Sequence, residues 1–362
     1  MTLLPRGTRI SDTLVVDRLL GQGAYAEVHR VRHDILGWQA MKLFKRVASL
    51  AETKAMFDEA RLLSTLGHPN IVRVFDANTL QTTDGRRGFF TMEYVAGGSL
   101  ERLLRAHSLS MVPLEDAVNA IEQITAGLMV AHRQSPPVLH RDLTLANVLV
   151  GYDGAGMRIR LSDFGLSKRA DPVTQLASAQ GTLAFMAPEV QRGDGYSRAS
   201  DVWSLGTIAY LLLTNHYPFH DGDPLASFSP ARFRKPALPP SHYNDAVDTA
   251  LDEIVLGALE RDPAERIDSA LTLADALLDR RDSMRKAPEP APAPEPPPEP
   301  PPSGTVLEER AERLAEQALR LARHPSTLHE AAELMEEAVN YSARLRARHV
   351  FRLTLWRRGV MM

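Results

Sequence analysis

Between Leu14 and Tyr94 the apolar residues come in short runs rich in Val, Ile and Phe, broken by Gly, Asp and Asn. That pattern predicts β-strands. One segment breaks the rhythm: "AMFDEARLLSTLG", residues 55–67, repeats its apolar positions at helical spacing. From Leu100 onward helical spacing takes over, as in "PLEDAVNAIEQITAGLMVAH" and "ASDVWSLGTIAYLLL". A small strand-rich lobe followed by a larger helical one leaves a cleft at the junction, near "MEYVAGG". Clefts of this kind are where ligands bind.

A second boundary lies at 287–304, "APEPAPAPEPPPEPPPSG". Proline fixes φ and removes backbone donors, so this stretch is expected to be an extended spacer. At ~3.1 Å per residue it separates two modules by on the order of 50 Å. A proline-rich ligand for an aromatic groove is the other reading. Beyond it, Leu307, Ala311, Leu314, Ala318 and Leu321 form one apolar stripe. Thr305 with Glu308, and Thr327 with Glu330, read as capping boxes. Residues 305–362 are therefore expected to form a helical hairpin with a basic end, for which an unknown protein partner is expected.

Composition narrows the function. Apolar residues at 44% and charged residues at 24% are ordinary globular values. A net charge of -3 gives no general attraction to nucleic acid. With no cysteine, thiolate nucleophiles and Cys-ligated metal sites are excluded. The start carries no secretory pattern, and the longest apolar run is too short to cross a bilayer. A soluble, cytoplasmic protein without a transmembrane segment is expected.

The chemistry-bearing residues come in a fixed order. "LLGQGAYAEVHRV" places Gly21 and Gly23 after a strand, where bare backbone can approach a phosphate; alone, it also reads as a plain hairpin turn. "WQAMKLF" puts Lys42 in an apolar strand, where an ammonium needs an anionic partner or must snorkel to an edge. Glu59 on the following helix is the candidate partner. "HRDLTLANVLV" holds Asp142 and Asn147, and "IRLSDFGLS" places Asp163 at a strand end, where a carboxylate suits a hard cation. Arg266 in "RDPAERIDS" offers a structural partner for Glu189 in "GTLAFMAPEV".

In this order and spacing, residues 13–283 resemble the eukaryotic-like protein kinases in their bacterial Ser/Thr branch. The resemblance implies an α+β, two-lobed kinase fold with ATP in the cleft. It implies that Gly21, Gly23 and Val28 cover the nucleotide, that Glu93 and Val95, after a gatekeeper at Met92, form a hinge whose backbone reads adenine, and that Leu20, Ala40 and Leu149 also belong to the nucleotide site. Lys42, paired to Glu59, would hold phosphates, and Asp142 would handle the proton of the substrate hydroxyl. Asn147 and Asp163 would bind Mg²⁺, with Mn²⁺ as an alternative. Thr182 in "GTLAFMAPE" implies transfer to Ser and Thr of protein substrates.

Two positions depart from the family pattern. Ala26 replaces the third glycine, and Thr144 stands where the Ser/Thr branch usually has a lysine. The lost charge is expected to slow transfer by one or two powers of ten, at ~1.4 kcal/mol each, without abolishing it. A nucleotide-binding scaffold without catalysis is the competing reading. Retention of Lys42, Glu59, Asp142, Asn147 and Asp163 speaks for activity and a signalling role. Arg141 predicts control by phosphate at Thr174 and secondarily Ser178, docking on that cation and on Lys168 or Arg169. "ARLRARHVFRLTLWRR", 343–358, reads as a surface for an anionic ligand, as a solvated basic helix end, or as a strand packed on the hairpin.

Overall fold

In the strand Gly37–Phe44, Met41 and Leu43 point to one face and Ala40 and Lys42 to the other, as a period of two requires. A computed structural model of the 362-residue chain describes residues 2–23, 26–45, 50–108, 110–154, 156–164, 183–219, 233, 235–286, 305–324, 327–357 and 360. The side chains of 50–53, 55, 56, 59 and 305–307 also lie outside that description. Two compact units emerge, Met1–Ala287 and Pro288–Met362.

The first unit opens with a six-stranded antiparallel sheet. Its strands are β1 (Arg9–Ser11), β2 (Leu14–Gln22), β3 (Ala26–His33), β4 (Gly37–Phe44), β5 (Val74–Thr82) and β6 (Gly85–Glu93), in the order β1-β2-β3-β4-β6-β5. Helix α1 (Leu50–Thr65) is the one helical interruption that the sequence predicts. The two faces bury different clusters. On one, Leu14, Val16, Val31, Met41, Leu43 and Phe89 pack with Leu4; on the other, Ala40, Val72, Phe90 and Met92 line the cleft side. Leu4 precedes the expected domain start at residue 13, so the sheet's core reaches further back than the motifs indicate.

The helical lobe contains α2 (Leu100–Ala106), α3 (Leu114–His132), α4 (Pro188–Arg192), α5 (Arg198–Thr214), α6 (Thr249–Ala258) and α7 (Ala270–Lys286). A hairpin of β7 (Val148–Asp153) and β8 (Gly156–Leu161) faces the cleft. Helix α5 is buried from Ala199 to Thr214, which explains a sequence apolar on all sides. A Ser197–Ser200 capping box starts it and Asn215, at φ 59°, ends it. No described helix is long and apolar enough to cross a membrane.

Arg266 meets Glu189 through two bonds, Nη1 to Oε1 at 2.7 Å and Nη2 to Oε2 at 2.9 Å, both buried. The same guanidinium donates to the carbonyls of Ala199 and Glu260 and lies 4.9 Å from the Trp203 ring centre. The expected pairing is present, and it ties α4, α5 and the loop before α7 together.

The second unit differs from the hairpin reading. Its described residues form three helices, α8 (Thr305–Leu321), α9 (Leu328–Tyr341) and α10 (Ala343–Arg357). The basic segment is neither a strand nor a loose helix end. Leu345, Leu353 and Trp356 are buried against Ala311, Ala315, Ala318, Met335 and Val339. Its cations meet acidic neighbours: Arg344 pairs with Glu312, and Arg357 with Glu336 at 2.6 Å. Thr327 also departs from expectation. Its hydroxyl donates back to the carbonyls of Leu321 at 2.6 Å and His324 at 3.2 Å, so it closes the α8–α9 turn and makes no side-chain cap. The spacer at 287–304 lies outside the described residues.

Candidate active site

The segment His140–Asn147 is shaped by a carboxylate distant in sequence. Asp201, buried on α5, accepts from the His140 N–H at 2.7 Å and the Arg141 N–H at 2.9 Å. His132 Nε2 lies 2.9 Å from the same carboxylate. These bonds hold Arg141 at φ 64°, an unusual conformation for a residue with a Cβ. Asn147 then closes the loop: Nδ2 donates to the Asp142 carbonyl at 2.8 Å and to Asp142 Oδ2 at 3.2 Å. Thr144 is buried in this loop, and its carbonyl accepts from the Asn147 N–H at 3.1 Å.

Facing the loop, Lys42 extends from β4 and donates to Asp163 Oδ1 at 2.7 Å. The side chains are 14% and 28% exposed, so much of both charges has left water and each depends on the other. Asp163 adopts φ 57°, a region Asp tolerates better than most residues. Its neighbour Ser162 donates to the Asn147 carbonyl through N–H at 2.9 Å and through Oγ at 3.0 Å. Lys42, Asp142, Asn147 and Asp163 are thus brought together from β4, the loop before β7 and the end of β8. Glu59 lies on α1, with its side chain outside the described residues. Thr174, Ser178 and Thr182 lie outside them altogether, as do Lys168 and Arg169.

Beside this polar centre the cleft is apolar. Val28, Val95 and Leu149 pack on Ala40 and Met92, so these five expected nucleotide-site residues share one cluster. Glu93 is fixed by its N–H donating to the Arg73 carbonyl at 2.8 Å and by Arg160 at 3.2 Å from Oε1. Past it, a Cβ on Gly97 would collide with the Val150 carbonyl, and Gly98 at φ 82° accepts from the Val150 N–H at 2.8 Å. Only glycine allows that approach of the connecting segment to β7. Leu20, Gly21 and Gly23 lie exposed at the end of β2 and just beyond it, and the Gly23 N–H donates to Ala26 at 2.9 Å.

Residues 14–278 match the protein kinase domain. The chain belongs to that family. It is 30% identical over 281 residues to the serine/threonine-protein kinase PknB of Mycobacterium leprae, covering 74% of this chain and 43% of the relative. It is 33% identical over 267 residues to the serine/threonine-protein kinase Pkn1 of Myxococcus xanthus, covering 72% and 37%. The chain thus matches less than half the length of these relatives. Among solved structures, the PknI kinase domain of Mycobacterium tuberculosis is 25% identical with a TM-score of 0.57, covering 77% of this chain and 100% of that one.

Several site residues carry no role in the sequence reading. Asp201 sits in "SDVWSLG", a motif visible in the sequence, yet its role depends on α5 passing under a loop some sixty residues earlier. His140 is fully buried, its ring 4.5 Å from that of Phe164. Burial lowers its pKa against the opposing pull of Asp201, Asp142 and Asp163, so the ring stays neutral. Tyr196 lines a recess beside Asp142 with Phe185, Met186 and Val190. Burial and then the Asp142 charge raise its pKa.

Proposed function

We propose that the protein is an ATP-dependent serine/threonine protein kinase that transfers the γ-phosphate of ATP to protein hydroxyls. The observation that carries this reading is the convergence of Lys42 on Asp163 at 2.7 Å with Asn147 closed on Asp142. In this reading Asp142 accepts or orients the proton of the attacking hydroxyl, and Lys42 holds the nucleotide phosphates. Val28, Ala40, Met92, Val95 and Leu149 take adenine, while the Gly21–Gly23 loop covers the phosphates.

The donor set suits magnesium. Asp163 offers carboxylate oxygens, and Asn147, with Nδ2 engaged on Asp142, has its amide oxygen left for a cation. Both are hard ligands of the kind shared with phosphates. Bound there, the ion neutralises charge gathering on the transferred group. The protein's own contribution is positioning, and the strained backbone at Arg141 and Asp163 belongs to it.

Ser/Thr preference rests on the form of "GTLAFMAPE", with Thr182 shaping the substrate pocket. Autophosphorylation at Thr174 or Ser178, a partner for the 305–362 unit and signalling in a bacterial cytoplasm, where ATP is at hand, complete the proposal. Radiolabelled ATP with Mg²⁺ and a generic basic protein tests it. The parent chain should label the protein, and Lys42→Met, which removes the ammonium without emptying the strand, should not. Equal labelling by both would sink the kinase reading.

A further inference from the structure

Along β3 the alternation that turns Val28 into the cleft turns Glu27 and His29 to the opposite, apolar face of the sheet. There they are 1% and 0% exposed. A carboxylate in such a place is costly unless donors surround it. Three converge on one oxygen, Glu27 Oε2: the Thr2 hydroxyl at 3.0 Å, the Leu3 N–H at 2.9 Å and His29 Nε2 at 2.9 Å. Burial pushes the Glu27 pKa up, but the bonds from Leu3, Thr2 and His29 outweigh it and lower the pKa overall. The group is therefore an ionised acceptor.

Two of the three donors, Thr2 and Leu3, come from a strap ahead of β1 that is anchored just beyond them. Leu4 is buried in the sheet's core with Leu14, Val31 and Leu43. Further on, the Gly7 N–H donates to Val16 at 2.8 Å, and the Val16 N–H to Thr8 at 2.9 Å. Directly across the strand pair, Glu27 is in register with Gln22 and Val28 with Gly21, while Ala26 accepts from Gly23. On its other side Glu27 faces Leu43 and Val28 faces Lys42. The carboxylate held by the strap thus sits at the root of the glycine-rich loop and one residue from the strand partner of Lys42.

We propose that Glu27 is a positioning residue for nucleotide binding: Thr2 and Leu3 clasp its carboxylate and thereby set the position from which Gly21 and Gly23 cover the phosphates. The inference rests on the kinase reading above. An apolar residue at 27 would fill the same face without fixing a direction, whereas three bonds to one oxygen hold β3 along its length and across it.

The test uses the full chain with Glu27→Ala, Thr2→Ala and Thr2→Ser. Calorimetry gives Kd for Mg-ATP, and steady-state kinetics give KM for ATP and for a protein substrate separately. A loop displaced by a fraction of an ångström should weaken ATP binding about tenfold in Glu27→Ala and about two- to threefold in Thr2→Ala. Thr2→Ser, which keeps the hydroxyl, should bind ATP as the parent does, and KM for the protein substrate should change less than about twofold throughout. A role in stability alone would lower the melting temperature and leave Kd for ATP in place. If Glu27→Ala fails to fold, Thr2→Ala decides, since Thr2 is exposed. A parent that binds ATP, with folded variants binding it equally well, overturns this inference alone. A parent that binds no ATP overturns the kinase reading with it.

Discussion

Thr144 tests how much of the site depends on one charge. It stands where a lysine would add a cation near the transferred phosphate, and its side chain is buried within the loop that Asp201 braces. Thr144→Lys should retain or raise the transfer rate, because added positive charge meets developing negative charge. Steady-state kinetics on one peptide would check this, and a dead variant would mean that the buried threonine is needed for the loop's shape. Glu189→Ala belongs to stability instead. It leaves Arg266 buried with carbonyl partners and no counter-charge. Losing one member of such a pair should cost about 3–5 kcal/mol in urea unfolding. The residues that bear charge were legible one by one, since Lys42 in an apolar strand demands an explanation wherever it occurs. Asp201 was not legible, because its function is a tertiary contact.

Helix termini supply a second kind of test. Asp248 begins α6 by accepting from the Leu251 N–H at 2.8 Å, and Arg280 of α7 donates to it at 2.6 Å. The Arg280 bonds hold its carboxyl below the usual aspartate range, against the opposing effect of burial. A depressed folded pKa gives stability that is present above the unfolded value and lost as pH falls through the folded one. Asn caps a helix about as well as Asp, so Asp248→Asn isolates the charge. The melting temperature of Asp248→Asn should lie below the parent's at neutral pH, and the gap should close as pH falls below about 3.8. A gap that is constant with pH would contradict the pairing. Strand alternation and helical spacing made the sheet, α1, α3 and α5 legible from the sequence. Helix α10 was missed because its stripe of Leu345, His349, Leu353 and Trp356 is interrupted by arginines, and the charges masked the spacing. Arg344 and Arg357, which flank the stripe, pair with Glu312 and Glu336, which lie in other helices and cannot be matched to them by inspection.

The chain as a whole divides at residue 287, and each unit has its own core. Limited proteolysis should cut within 287–304 first and release two fragments that each unfold cooperatively, since proline-rich spacers offer extended backbone to a protease. Cleavage starting inside either unit would contradict the spacer. Control of the kinase unit is expected to lie in the segment between Asp163 and Glu189. Mass spectrometry after incubation with ATP should find phosphate at Thr174 or Ser178, and the double alanine variant should be markedly slower. Full activity without phosphate there would rule that control out. The account's central claim is that Asp142 and its neighbours transfer phosphate from ATP to serine and threonine. Its most direct test is identification of the phosphorylated amino acids on a generic protein substrate after incubation with Mg-ATP, for the parent and for Asp142→Asn. The account predicts phosphoserine and phosphothreonine from the parent and none above background from Asp142→Asn. No phosphate from the parent, phosphotyrosine alone, or equal transfer by Asp142→Asn would contradict it.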